Sequence, residues 1–430
     1  GPPLNPRLRG ILPVAVAAAV FLWPTNAQAQ TQSCAKVGRD NLAPCALAAS
    51  LVVRGEAKLG EALEGRRVAN GIVLPANPVL SFSAAQRKGG TPDQSGFNWY
   101  ASLSQEIEIG GQRGARVRSA DAALDAQEKK VRLSKREAVA TAWTAYFEVL
   151  AAKEYRALVE ELAHASERVG VATKARAERG LAPTLDADLA EVAAVRAAQA
   201  KIAALQALAS AEAKLKFALG LAPEGSLEAQ GELLPLPGLT QATAKFPPIS
   251  ARLEFQSATA DQQSMLARAQ ALRRSRIPSP SVSVFVQNDG FNERVLGLGL
   301  ALPIPLPAPV GRTYAGEIME AEALADRAGI ERQRFARAIE LETVDATNAY
   351  QAQLRIVESL STEKKKAVER SLRDLRTEVE AGRVAVRDAI AAQQAMIELL
   401  QNDVSQRKNL CLASVRLALA LGVSLEGGSQ

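Results

Sequence analysis

Aromatic side chains make up only 4% of this 430-residue chain, which also holds a single histidine, three cysteines and three methionines. His164 alone, with no cysteine pair at ligand spacing, supplies no metal-ligating set, so neither metal nor cofactor is expected. Charge of one sign is lacking too. The 52 basic and 46 acidic residues interleave to a formal net +6, with no sustained basic stripe for nucleic acid. The most apolar run, Ile11 to Trp23, is too short for a membrane-spanning helix. No nucleophile–base pair or phosphate loop stands at a credible spacing, which argues against an enzyme. What the chain has in plenty is alanine, with leucine at helical spacing and charges between, the composition of long, closely packed helices.

Arg7 and Arg9 precede the apolar run, and Ala27-Gln28-Ala29 follows it as a small-x-small sequence. Residues 1–29 read as a secretory signal peptide, the alternative being an uncleaved anchor. "TQSC" lacks the leucine and small residues that precede a lipidated cysteine, so Cys34 is not read as a lipid anchor. In an exported chain Cys34 and Cys45 could close a loop of about 12 residues, and Cys411 reads as a small buried side chain. Residues 30–45 receive no assignment.

The two halves echo each other at an offset of about 202 residues, the mark of an internal duplication. "ANPVLSFSA" (76–84) recurs as "PSPSVSVFV" (278–286), "ERGLAPTLDADLAEV" (178–192) as "EAGRVAVRDAIAAQ" (380–393), and "KFALGL" (216–221) as "LALALGV" (417–423). The repeats are 46–221 and 248–425, joined by a Pro-, Gly- and Leu-rich linker, 222–247. Each reads as a helix, two strands, a very long helix, a tight turn and another helix. Helices are expected at Ala46–Val68, Arg113–Arg179, Thr184–Leu219, Ser250–Arg276, Arg312–Ala381 and Ala385–Leu421. Strands are expected at about 79–87, 96–109, 280–288 and 294–305.

The strands alternate strictly, the signature of a half-buried sheet. Leu80 and Phe82 oppose Ser81 and Ser83. Phe97, Trp99 and Leu103 oppose Asn98, Ser102, Ser104 and Glu106, with Glu108 on the same wet side. Val282 and Val284 oppose Ser281 and Ser283, and Leu296, Leu298 and Leu300 oppose Gly297 and Gly299. A soluble sheet would bury such a face on a helix. Hairpins of 8–12-residue strands in an exported chain fit a bilayer instead, with Phe97, Trp99 and Tyr100 suited to an aromatic girdle.

Four strands cannot close on themselves, and an open edge in hydrocarbon leaves backbone groups unpaired. Three chains give twelve strands around a lumen that Ser81, Ser83, Asn98, Ser102, Ser104 and Glu106 would line. A helix of about 65 residues spans about 100 Å, deeper than any single core, so its apolar stripe must pack on neighbouring long helices.

In this arrangement the chain resembles the TolC-type outer-membrane efflux protein family. The resemblance is carried by the paired halves, by Asn77-Pro78 and Ser279-Pro280 before the strands, and by "QEIEIGGQRGARVRSADAAL" (105–124). The Gly-x5-Asp turns Gly180–Asp186 and Gly382–Asp388, and the Leu-Gly closures at 219–220 and 421–422, complete it. It implies a mainly α protein with a membrane β part: a trimeric 12-stranded β-barrel continued by a 12-helix periplasmic α-barrel. It also implies the role of exit duct in a tripartite pump, with a periplasmic adaptor protein, an inner-membrane RND transporter and outer-membrane lipid as partners. "GGQRGARV" is similar to the heavy-metal (cobalt-zinc-cadmium type) branch, which favours metal cations as cargo. Where relatives often carry an aromatic four residues before the tip glycine, Arg176 and Glu378 stand here. Gly180 and Gly382 suit left-handed helix stops, and Asp186 and Asp388 could simply cap the helices that follow or favour their dipoles. Family position instead puts Asp388 in a constriction ring, with Arg383 and Arg387 latching it to neighbouring chains. Outlets for protein or drug export, and a soluble periplasmic coiled-coil scaffold, are the rival readings.

Overall fold

The computed structural model describes residues 34–88, 95–239, 248–288, 293–306, 309–311, 313–360, 362–381 and 383–425. The expected signal peptide and Gly382 lie outside the described residues. In chain order the elements are β1 (Lys36–Val37), α1 (Leu42–Ala49), α2 (Leu51–Asn70), β2 (Val79–Lys88), β3 (Ser95–Glu106), α3 (Gln112–Glu178) and α4 (Thr184–Ala218). Then come β4 (Glu228–Ala229), a 3-10 turn at Ile249–Ala251, α5 (Leu253–Arg274), β5 (Ser281–Asn288), β6 (Arg294–Ala301), α6 (Ala315–Ser359), α7 (Thr362–Glu380) and α8 (Val386–Leu421).

α3 runs unbroken for 67 residues, about 100 Å at 1.5 Å per residue. No proline interrupts it, and alanine keeps its packing faces shallow. It is the spine on which α2, α4, α5 and α8 pack. The main core gathers at its middle, where Trp143, Tyr146 and Phe147 touch one another and sit with Leu215, Leu233, Leu417 and Val415. A second, smaller cluster of Val169, Ala190, Val379 and Ala389 joins the far ends of the helix pairs.

Several expected boundaries shift, each for a local reason. The first helix is not continuous over Ala46–Val68. It breaks at Ser50, whose extended backbone lets its hydroxyl accept from Val53 N at 3.3 Å and cap α2. The expected Arg312–Ala381 helix divides after Ser359, where Leu360 leaves helical geometry (φ −96°, ψ 83°) and the Ser359 hydroxyl donates back to Ile356 O at 2.6 Å. The expected Ser250–Arg276 helix starts as the 3-10 turn and becomes α-helical only from Leu253. β3 stops at Glu106, because its partner β5 begins at Ser281 directly after Pro280. β6 stops at Ala301, two residues before Pro303, which has no N–H for a ladder.

Residues left without assignment turn out to be structural. Cys34 and Cys45 form a disulfide with Cα atoms 5.8 Å apart. β1 pairs in parallel with β4 of the linker, Lys36 against Glu228 and Val37 against Ala229. The Arg39 guanidinium lies 6.0 Å from the Trp143 ring and 5.9 Å from that of Phe147, and donates to Leu234 O and to Pro235 O. Tyr146 donates its hydroxyl to Gln230 O, and Lys153 donates to Ala229 O at 2.8 Å. The N-terminal loop and the linker thus form one belt fastened to mid-α3.

The two halves share backbone features. α3 and α6 both start from a residue in left-handed geometry at the end of the sheet, Gly111 (φ 70°) and Tyr314 (φ 53°). α4 and α8 both end in a six-residue closure, with Leu221 N donating to Lys216 O and Val423 N to Ala418 O.

Candidate functional site

β2, β3, β5 and β6 form one antiparallel sheet in that order, so the two hairpins join through β3 and β5. The register aligns the side chains of each face in rows. Leu80 stands opposite Leu103, Leu103 opposite Val284, and Val284 opposite Leu298. Phe82, Ala101, Val286 and Leu296 make the next row. Because the pleat turns alternate residues to opposite sides, Phe97, Trp99, Val282 and Leu300 complete the same face. No helix covers it. Leu80, Leu296, Leu298 and Leu300 are each at least 74% exposed, and Phe82, Phe97, Leu103, Val282 and Val284 are also exposed, with Trp99 half-buried. β2 and β6 are the outer strands, each paired on one side only.

The opposite face carries Ser81, Ser83, Asn98, Ser102, Ser104 and Glu106 with Ser281, Ser283 and Gln287. It is the more crowded face: Ser102 is 9% exposed while its neighbour Leu103 is 51% exposed. The girdle expectation is corrected for Tyr100: the pleat sends it to this polar side, opposite Ser83 and Gln287, away from Phe97 and Trp99. Tyr100 and Phe285 stack with ring centroids 5.6 Å apart at an interplanar angle of 29°. Gly297 on β6 makes room for them, since a Cβ there would lie 2.3 Å from the tip of the Phe285 ring. The signal was present, for Phe285 shares its parity with Ser281 and Ser283.

Glu108 does not stand on a solvated wall, as its parity had suggested. It lies beyond the last strand residue, pairs with Arg116 of α3, and its side chain is only 9% exposed. The neighbouring Gln112 fastens the turn from sheet to helix, accepting from Gly110 N at 2.7 Å and donating to Ile277 O at 2.9 Å.

At the far end the two helix turns lie side by side, Leu181 and Pro183 facing the same pocket as Val384 and Ala385, and a separate cavity of about 320 Å³ lies between α3, α7 and α8, lined by Leu162, Val169, Leu375, Ile390 and Ile397 among others. Gly180 has φ 72°, and Leu181 N donates to Arg176 O at 2.9 Å. In the second repeat Arg383 N donates to Glu378 O at the same 2.9 Å. Asp186 and Asp388 each occupy the third position of the following helix, behind Pro183 and Ala385 as N-caps, neither of which has a capping side chain. A carboxylate in the first turn favours the positive end of the helix dipole. Arg383 pairs within its own hairpin, with Glu378 at 3.0 Å, and Arg387 lies 3.8 Å from its neighbour Asp388, both largely exposed.

Nearer the middle, Asp403 on α8 accepts from Lys365 of α7 at 3.0 Å and from Arg407 at 2.9 Å. Arg407 also holds Glu154 of α3. This network, centred on the buried Asp403, ties three helices together and had no sequence signal beyond the spacing of Asp403 and Arg407. His164 is exposed on α3. Among the described residues no group of His, Cys, Asp and Glu could hold a metal ion, and no helix is long and apolar enough to cross a membrane.

An open four-stranded sheet with one bare apolar face, carried on long helices of which α3 spans about 100 Å, is a fold shared with solved outer-membrane channels. The CmeC outer membrane channel of Campylobacter jejuni superposes with a TM-score of 0.75 at 14% identity, covering 89% of this chain and 85% of that one. The outer membrane protein VceC of Vibrio cholerae gives 0.72 at 16%, covering 90% and 96%. The MtrE outer membrane channel of Neisseria gonorrhoeae gives 0.71 at 15%, covering 91% and 90%. No curated protein sequence matches. Residues 72–221 match the family model described as outer membrane efflux protein, so this part of the chain is similar to that family.

Proposed function

We propose that three copies of this chain close a twelve-stranded barrel in the outer membrane and form the exit duct of a tripartite efflux pump. The observation that carries the reading is the uncovered face through Leu80, Leu103, Val284 and Leu298, on a sheet with two unpaired edges. In water such a face associates or aggregates. In a closed trimer it meets lipid, the edges pair, and the serine-rich side lines water. Conduction is passive: no chemistry is performed, and an RND transporter working through a periplasmic adaptor supplies the drive. The cargo proposed from "GGQRGARV" is a heavy-metal cation.

The periplasmic turns are the proposed gate. Three copies of Asp388 would repel one another around the axis and attract a cation, while Arg383 and Arg387 screen them. Asp186, behind Gly180, holds the matching position of the outer turn.

Fractionation tests the main claim. A detergent-extracted trimer that conducts in planar bilayers is expected, whereas release of a monomer by osmotic shock would refute it in favour of a soluble scaffold. Asp388→Ala and Arg387→Ala should change conductance and its dependence on divalent cations; unchanged traces would remove the gate assignment. Increased metal sensitivity of a deletion strain tests the cargo.

A further inference from the structure

We infer that the polar wall of the sheet carries an aromatic strip, Tyr100 with Phe285 over Gly297, that contacts planar aromatic organic molecules in transit. The inference rests on the exit-duct reading, which turns this face toward the lumen.

The strip crosses three strands. Tyr100 belongs to β3 and Phe285 to β5, stacked at 5.6 Å, and the ring tip of Phe285 lies over the bare backbone of Gly297 on β6. Both rings are half-buried, so part of each remains open to the polar side. Around them the wall is neutral. In the ladder the neighbours on this face are Ser83, Asn98, Ser102, Ser283, Gln287 and Gly297. Its charged positions fall at the two extremes, Glu106 at the start of β5's pairing and Arg87 opposite Gly96.

A neutral wall offers a hydrated metal ion no countercharge at mid-height. For a flat aromatic solute it offers a π surface flanked by hydroxyls and an amide, the mixture that holds amphipathic ring systems. One stacking contact changes a residence time by roughly two- to tenfold. That is enough to slow such a solute against the wall and too little to retain it, as a passive conduit requires. A cationic ring system gains further from the electron-rich faces.

The test uses the full-length assembled channel in planar bilayers, with 9-aminoacridine as probe and tetraethylammonium as a non-aromatic cation of equal charge. 9-Aminoacridine should produce resolved current blocks and tetraethylammonium should not. Tyr100→Leu should shorten the blocks about twofold to tenfold, while Tyr100→Phe retains them. If Tyr100→Leu does not assemble, Phe285→Leu carries the same comparison. A conducting channel with no blocks, blocks equal for both probes, or blocks indifferent to Tyr100→Leu would overturn the aromatic strip and leave the duct intact. A wild-type protein that forms no channel would overturn the duct reading and the strip with it.

Discussion

Leu298→Arg puts the lipid-facing argument at greatest risk. Leu298 lies in the middle of β6, opposite Val284, and is 79% exposed in the single chain. If that exposure is to hydrocarbon, an arginine near the midplane costs about 2–4 kcal/mol per copy. Three copies in one barrel then cost roughly 6–12 kcal/mol, comparable with the whole stability of an ordinary domain. Assembly should fail. If the exposure is to water, the same substitution falls within about 0.5 kcal/mol of neutral and should make the protein more soluble. Ser83→Arg, on the other face of the same sheet, is the matched control, expected to assemble and alter only conductance and ion selectivity. The readout is the trimer band in semi-native electrophoresis after detergent extraction, followed by bilayer conductance. A Leu298→Arg protein that assembles and conducts as wild type would refute the reasoning.

Other outcomes follow from the helical part. Replacing Cys34 and Cys45 with serine frees a loop of about 12 residues and should cost about 2–3 kcal/mol, lowering the melting temperature by as much as reductant does on the wild type. Because that loop carries Arg39 to the Trp143 ring, tryptophan fluorescence should change as well. Arg136, whose side chain is only 10% exposed, donates to Leu419 O at 2.7 Å and Ala418 O at 3.2 Å at the end of α8. Arg136→Met should destabilise by about 1.5–3 kcal/mol, read as an earlier melt with secondary structure intact. Burial pushes the Cys411 thiol up to about 12, while an exposed thiol ionises near 8.5. The native protein should therefore resist maleimide at pH 8 and label fully once unfolded. Since the fold holds this proton more tightly than the unfolded chain, its contribution to stability falls as pH rises from about 9 toward about 12; prompt labelling of the native state would contradict the burial.

How much could be read in advance depends on the range of the interaction. The alternation of Leu80, Phe82 and Ser81, or of Leu298 and Gly297, is a property of a few consecutive residues, since the pleat alone sends neighbours to opposite sides. The helix stop at Gly180 is equally local, because its φ of 72° is costly for any residue with a Cβ. Breaks at Ser50 and Leu360 escaped because they are short hydroxyl-to-backbone competitions inside otherwise helical patterns. Glu108 followed the strand's parity in sequence, yet the strand had already ended and Arg116 was in reach.

The sequence by itself therefore determined the two repeats, the faces of the four strands and the great length of α3, all of them written in periodicity and punctuation. Only the tertiary structure decided that β1 pairs with β4 across the chain, that Asp403 joins Lys365 and Arg407, and that Tyr100 meets Phe285 over Gly297. A period records which way a side chain points, whereas a partner distant in sequence is chosen by how the folded backbone brings the two segments together.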